Sequence, residues 1–288
     1  MNLKIPSSHK STEPESGVLY VVGTPIGNLN DLSYRAINIL KNVSLIACED
    51  TRQTKKIMNK FEFTNNFISF NKHNSFHKIQ KIINALKFGK SLALVSDAGM
   101  PSICDPGEDL IKEVKSIGLN VICIPGPTAA ITALVSSGFP SSKFIFEGFL
   151  PKKISERKKI LFEISKNDKT TILFESPRRL KKLLNELKDF CGGEREIEIF
   201  RELTKKYEEH IGSNLYDVIN FFHDKEIMGE ITVVIKGLNS TSLTSNVDEL
   251  NLKKELTELI DAGLSLSAAS RYLAKKNNLS KSFIYNMY

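Results

Sequence analysis

Five times in the first 135 residues a short apolar run is followed by an amphipathic stretch of helical period. VLYVV (18–22) precedes Leu32–Leu40, and SLIAC (44–48) precedes Thr51–Met58. NFISF (66–70) precedes Phe76–Phe88, SLALVS (91–96) precedes Asp109–Ser116, and NVICIP (120–125) precedes Thr128–Val135. Such alternation leaves few options. Strands joined by helices run parallel, and a parallel sheet needs helices on both faces. A mainly parallel α/β sheet is therefore expected for the first half. Gly- and Pro-bearing turns punctuate it at GTP, DAG, DPG and PGP.

The second half changes character. FIFEGF (144–149), TTILFES (170–176), EIEIFREL (196–203) and EITVVIKG (230–237) read as strands, with basic helices at Glu156–Ile164 and Pro177–Asp189 between them. A second α/β domain with a mixed sheet is expected. The Ser/Thr-rich LNSTSLTSN (238–246) reads as a linker. Beyond it, Val247–Asp261, Leu266–Lys276 and Lys281–Tyr288 read as a small helical appendage. The expected plan is a polar leader at 1–16, an N-terminal α/β domain at 17–138, a second at 139–238 and the appendage at 247–288.

Bulk properties narrow the class. No run approaches the roughly 18 apolar residues of a membrane span, and the leader lacks the apolar core of a signal peptide. The four cysteines, Cys48, Cys104, Cys123 and Cys191, include no C-x-x-C pair. Neither a zinc site nor a disulfide framework is expected, and the cytoplasm is the expected compartment. No metal is called for. The net charge is +7, and between Leu150 and Lys188 alone 12 Lys or Arg face 5 Asp or Glu. Leu264–Tyr288 adds Arg271, Lys275, Lys276 and Lys281 with no acid. Basic charge concentrated in this way suits a polyanion such as nucleic acid.

Four loops fall where ligands bind in open α/β sheets, beyond the carboxyl ends of the strands. They are GTPIGNLND (23–31), CEDTR (48–52), SDAGMPSICDPG (96–107) and PGPTAA (125–130). None matches G-x-x-x-x-G-K-[ST] or G-x-G-x-x-G, the spacings of the two phosphate loops. Only Arg52 supplies a cation. The loops offer backbone amides, hydroxyls, small residues and Asp97. That set suits a neutral or zwitterionic ligand packed on backbone, such as a nucleoside with an amino-acid tail.

Taken together, GTPIGNLNDLSYRA, CEDTRQT, SDAGMPSICDPG, PGPTAAITAL, FEGFLPKK, LFESPRRL, RELTKKYEE and GEITVVIKG resemble the tetrapyrrole methylase superfamily. They resemble most its ribosomal RNA small subunit methyltransferase I family. The likeness runs from Gly17 to Gly237 and reappears at AASRYLA (268–274) and KSFIYNMY (281–288). It implies a two-domain tetrapyrrole-methylase-like fold, with S-adenosyl-L-methionine in the cleft between the domains, and a homodimer. It implies methyl transfer to the ribose 2′-hydroxyl of a cytidine in the decoding region of 16S rRNA, with the small ribosomal subunit as substrate. On this chain, Thr24 and Pro25 would help floor the cleft. Asp97, Ala98 and Gly99 would meet the donor's methionine and ribose. Pro127, Thr128 and Ala129 would border the pocket, and Gly229, Glu230, Ile231 and Thr232 would offer backbone to adenine. The chain departs from the family pattern at Arg178, often histidine; at Cys48, often alanine; and at Ser75, often glutamate.

A ribose hydroxyl attacks well only as its proton is drawn away. The candidate carboxylates and imidazole are Asp31, Glu49, Asp50, Asp97 and His73. Glu49 and Asp50 are the expected catalytic pair, organising the acceptor site, although Asp50 also reads as the N-cap of the next helix. Arg52, His73, Lys152, Lys153, Arg157, Arg178 and Arg179 are the expected RNA contacts. In the tail, Ala269, Leu273 and Ile284 form apolar faces, and Arg271, Tyr272 and Lys275 suit either RNA or packing. Two other readings stand beside this one: methylation of a small tetrapyrrole precursor, and a non-catalytic RNA-binding ribosome-assembly factor.

Overall fold

The computed structural model describes residues 13–71, 75–238, 249–277 and 281–288. The expected linker beyond residue 238 and most of the expected leader lie outside these. In the first half, β1 (Leu19–Val22), β2 (Leu45–Cys48), β3 (Phe67–Ser69), β4 (Leu92–Val95) and β5 (Val121–Ile124) alternate with five helices. These are α1 (Tyr34–Asn42), α2 (Thr51–Lys60), α3 (Ser75–Lys87), α4 (Glu108–Ser116) and α5 (Ala129–Ser137). The strands form one parallel sheet in the order β3-β2-β4-β1-β5. β1 and β4 are buried along their whole length, which is why each reads as an unbroken apolar run.

Side-chain periodicity assigns the helices to faces. Ala36, Ile39 and Leu40 of α1 and Ile57 of α2 pack with Tyr20, Val22, Ile46 and Cys48. Ile79, Ile82 and Leu86 of α3 and Leu110 and Val114 of α4 pack on the opposite face, with Leu19, Ala47 and Leu94. The chain leaving β4 therefore goes to the face opposite that taken by the chains leaving β1 and β2. Diverging connections open crevices on both flanks of β4, the usual ligand position in such sheets.

The second sheet contains β6 (Phe144–Phe149), β7 (Thr170–Glu175), β8 (Glu196–Arg201), β9 (Glu209–Asn214) and β10 (Ile231–Ile235). Its order is β6-β7-β10-β8-β9; β6 and β7 are parallel and the other pairs antiparallel. The helices α6 (Ile154–Lys166), α7 (Pro177–Cys191) and α8 (Leu215–Phe222) cover one face. There Leu161, Leu180, Leu183 and Val218 meet Leu173, Ile199 and Val233. The other face receives α5, whose Ala130, Ala133 and Leu134 pack on Ile172, Phe200 and Val234. By packing, α5 thus joins the residues after 138 rather than those before. β9 and α8 were not expected as separate elements. β9 is an edge strand of this sheet.

Both sheets lie in one compact unit, which runs to Ser165 and resumes over Lys169–Lys236; Lys166–Asp168 and the chain from Gly237 onward make another. That second unit holds α9 (Glu249–Asp261), α10 (Leu266–Asn277) and α11 (Lys281–Tyr285). Leu252, Leu256, Ala269, Leu273 and Ile284 form its core, and Lys276 pairs with Glu255 at 2.8 Å. Arg271, Tyr272 and Lys275 are exposed. No helix among the described residues is long and apolar enough to cross a membrane.

Candidate active site

Two pairs of close contacts build the site. Gly23 and Gly126 lie where the β1 and β5 loops cross, and a Cβ on Gly126 would sit 2.8 Å from Gly23 Cα. Only glycine at both positions permits that crossing. One residue on, Thr24 and Gly99 exchange backbone hydrogen bonds of 2.9 and 3.1 Å, and Thr24 Oγ1 donates to Ser96 O at 3.1 Å. The β1, β4 and β5 loops are thereby fastened into one wall.

Across from that wall, Gly27 fits against Thr204 and Lys205, and the Asn28 amide donates to Thr204 Oγ1 at 3.0 Å. Glu202 accepts from the Glu230 amide at 2.8 Å, while Lys205 Nζ bridges Glu202 and Glu230 at 2.8 and 3.0 Å. Burial pushes the Glu202 carboxyl up, but Lys205 and the Glu230 amide outweigh it and hold it below its ordinary value. Gly229, at φ +91°, leaves room for Glu202, whose Cγ would lie 2.5 Å from an added Cβ.

These walls enclose a cavity of about 410 Å³, within the size range of small-molecule and cofactor sites. Its lining includes Ala98, Gly99, Thr128, Ala129, Gly229, Glu230, Ile231 and Thr232, all nominated from the sequence. Thr24, Pro25, Asp97 and Pro127 do not line it. Thr24 is fully buried with its hydroxyl committed to the β4 loop, and Asp97 Oδ1 accepts from the Asp50 amide at 2.9 Å. Residues not nominated also line it: Met100, Ile103, Cys104, Phe149, Phe174, Glu175, Phe200 and Leu203. Most stood inside the quoted motifs, where their signal lay.

Backbone strain gathers at this cavity. Ser102, Cys104, Glu202 and Thr204 adopt φ between +53° and +70° in the two loops that wall it. Among the described residues only Glu62 joins them as a non-glycine with positive φ. Side chains hold such conformations only where the surroundings over-determine them, as at ligand clamps.

The expected catalytic pair lies on the other flank of β4. Asp50 caps α2 by accepting from the Arg52 amide at 2.8 Å and pairs with the Arg52 guanidinium at 2.6 Å. Arg52 holds the Asp50 carboxyl down to about 2. Burial pushes Asp97 above its ordinary value. Glu49, Asp50 and Arg52 do not line the cavity. His73 lies outside the described residues.

The expected RNA contacts divide. Lys152, Lys153 and Arg178 are exposed, with Lys153 reaching Glu156 at 2.8 Å. Arg179 pairs with the buried Glu175 at 2.7 Å. Arg157 corrects the expectation: it is 5% exposed, bonded to Glu186 at 2.7 Å and facing Glu175 at 3.6 Å. Its charge is consumed inside the fold.

Residues 18–219 match the family model of the Tetrapyrrole (Corrin/Porphyrin) Methylases. Ribosomal RNA small subunit methyltransferase I of Bacillus subtilis (strain 168) is 41% identical over 277 residues, 95% of this chain and 94% of the relative. The chain belongs to the ribosomal RNA small subunit methyltransferase I family. Its Thermotoga maritima member is 45% identical over 221 residues, 77% of this chain and 99% of that one. This chain is accordingly a methyltransferase. Cobalt precorrin-4 methyltransferase shares the fold at a TM-score of 0.59 and 15% identity, covering 76% of this chain and 95% of that one. So does the Thermus thermophilus uroporphyrin-III C-methyl transferase complexed with S-adenyl homocysteine, at a TM-score of 0.55 and 14% identity, covering 76% and 96%.

Proposed function

We propose that this methyltransferase uses S-adenosyl-L-methionine to methylate the ribose 2′-hydroxyl of a cytidine in the decoding region of 16S rRNA. Its substrate is the small ribosomal subunit, and it works in the cytoplasm as a homodimer. The observation that carries the reading is the cavity, whose lining joins Ala98–Gly99, Thr128–Ala129 and Gly229–Thr232 in a chain of this family. The exposed apolar side chains Ile131, Val135 and Phe144 support a homodimer.

The lining fits the donor. It presents backbone, small residues and apolar rings, with few charges, as a nucleoside bearing an amino-acid tail requires. Ala98, Gly99, Thr128 and Ala129 hold the tail and ribose; Gly229, Glu230, Ile231 and Thr232 hold adenine. When bound, S-adenosyl-L-methionine supplies a methyl group on a sulfonium, already electrophilic. The protein's part is then orientation and exclusion of water. Thr24 and Pro25 are buried and support this wall from behind, while the exposed Asp97 meets the donor's methionine and ribose and Pro127 borders the pocket; Thr24 and Asp97 also tie the β4 loop to its neighbours.

Glu49 and Asp50 organise the acceptor. Held at about 2, Asp50 stays ionised and is a poor proton acceptor at neutral pH, so its work is to tether Arg52. Arg52 remains 85% exposed while paired and meets RNA phosphate, as do Lys152, Lys153 and Arg178. Arg179 supports that surface through Glu175.

The test is incubation with methyl-labelled donor and small subunits from cells lacking the activity, with porphyrinoid precursors in parallel. Label in one cytidine ribose is expected. Label only in a porphyrinoid, or binding to subunits without label, refutes the reading.

A further inference from the structure

On β6, Phe144 pairs with Thr170, Ile145 with Thr171 and Phe146 with Ile172. The register then slips, so that Gly148 pairs with Leu173 and Phe149 with Phe174. Without the bulge at Glu147, strict alternation would aim Phe149 away from the face that carries Phe146. With it, Phe149 joins Phe146, Ile172 and Phe174 on the cavity face. Bulges beside active sites commonly re-aim one side chain in this way. Gly148 accommodates the turn at φ +63°, where an added Cβ would meet Cys104 Sγ at 2.9 Å.

The re-aimed ring lines the cavity and yet stays 55% exposed. Its inner side is braced: Phe149 lies 5.7 Å from Phe174, which lies 5.1 Å from Phe146 in an edge-on contact. A large apolar ring at the edge of the cavity, packed on one side and open on the other, offers its open side to a partner from outside the fold. Cations follow both strands at this end. Lys152 and Lys153 follow Phe149 by three and four residues. β7, its parallel neighbour, runs out at the same end into Ser176, Pro177 and the exposed Arg178.

We infer that Phe149 is the stacking platform for the nucleobase of the acceptor nucleotide, with Lys152 and Arg178 receiving the flanking phosphates. The inference rests on the RNA reading above. The 2′-hydroxyl has to be brought to a donor recessed in the cavity, and a nucleotide turned out of its stack reaches furthest into such a site. An aromatic face replaces the lost stacking without reading the base's identity. The ring thus positions the substrate and takes no part in the proton transfer.

The protein contains no tryptophan, so Phe149→Trp places a single indole at the cavity mouth. Its emission is expected to be quenched by small subunits, and by a single-stranded oligoribonucleotide containing cytidine, but not by S-adenosylhomocysteine alone. Phe149→Ala is expected to raise the acceptor KM about 5- to 150-fold, a larger change than the one it makes in donor affinity. Phe149→Trp should restore the KM. Quenching by S-adenosylhomocysteine alone would assign the ring to the donor's adenine and overturn the inference. Emission that shifts with protein concentration would overturn it by placing a second copy over the ring. So would a Phe149→Ala enzyme with the normal acceptor KM. If the unsubstituted protein methylates no RNA, the RNA reading falls and this inference with it. If it does, and Phe149→Ala is silent, only the inference falls.

Discussion

Gly126→Ala tests whether the loop crossing shapes the cavity. The new methyl group would lie 2.8 Å from Gly23 Cα, 2.9 Å from its carbonyl carbon and 3.0 Å from its oxygen. All three are backbone atoms, so no side chain can rotate aside. Ordinary contact begins near 3.4 Å, and the two crossings must part by about 0.6 Å to reach it. Overpacking of this kind costs about 1–3 kcal/mol, which in a unit of this size lowers Tm by roughly 2–12 °C. The displacement reaches the lining directly: Gly23 precedes the Thr24–Gly99 bridge, and Gly126 precedes Thr128 by two residues. Misplacement by about 1 Å can reduce a rate 10²-fold, so a drop on the order of tenfold in kcat/KM is expected. Gly118→Ala is the control. At φ +77°, with nothing within 4 Å of the added Cβ, it brings a left-handed penalty of about 1–2 kcal/mol without any collision. It should lower Tm and leave donor binding untouched. Thermal unfolding, donor calorimetry and methyl-transfer kinetics on both variants decide the matter. The reasoning fails if Gly126→Ala binds donor and turns over normally, or if Gly118→Ala weakens donor binding as much.

Asp50→Asn should change the acid limb of stability. Because the folded Asp50 value lies below its ordinary one, the ionised group stabilises the fold above about pH 4. That contribution drains away as the pH falls toward about 2. Urea midpoints between about pH 6 and 2 should therefore fall less steeply in the variant, and equal slopes would refute this. Arg157→Met removes the nearer partner of Glu186, which keeps Lys182 at 3.9 Å, and should destabilise by about 1–3 kcal/mol in urea while leaving the salt dependence of RNA binding alone. Lys152→Ala should do the reverse, reducing the salt slope by about 1 with stability within about 0.5 kcal/mol. Lys205→Met leaves Glu202 and Glu230 without their shared cation. A loss of about 1 kcal/mol, partly screened, is expected, together with weaker donor binding by calorimetry. Lys205→Arg should recover both, and normal donor affinity in Lys205→Met would refute the clasp.

What was legible in the sequence follows from where each residue finds its partners. The first sheet announced itself because β1 and β4 are buried on both faces, so the runs are unbroken and the intervening helices show one apolar side. The site's backbone-rich walls were legible for a related reason: glycines and prolines mark strand ends locally, and GTPIGN, SDAG and PGPT lie at those ends. β9 was hard to see because EHIGSN at a sheet edge alternates weakly, burying little on either side. Phe149 was hidden for a sharper reason. A single bulged residue inverts the alternation of β6, so its destination is decided by pairing with β7. Charges were hidden the same way. Arg157 reads like any cation on a basic helix, but Glu186, 29 residues on, consumes it. Asp97 Oδ1 accepts from the Asp50 amide, 47 residues away in sequence, a contact that no local pattern announces. A glycine's reason to exist is steric and survives in the one-letter code, whereas a charge's role belongs to whichever non-local group it meets. The donor-side lining, made chiefly of backbone, should therefore tolerate exchange of surrounding charges far better than it tolerates one added methyl at Gly126.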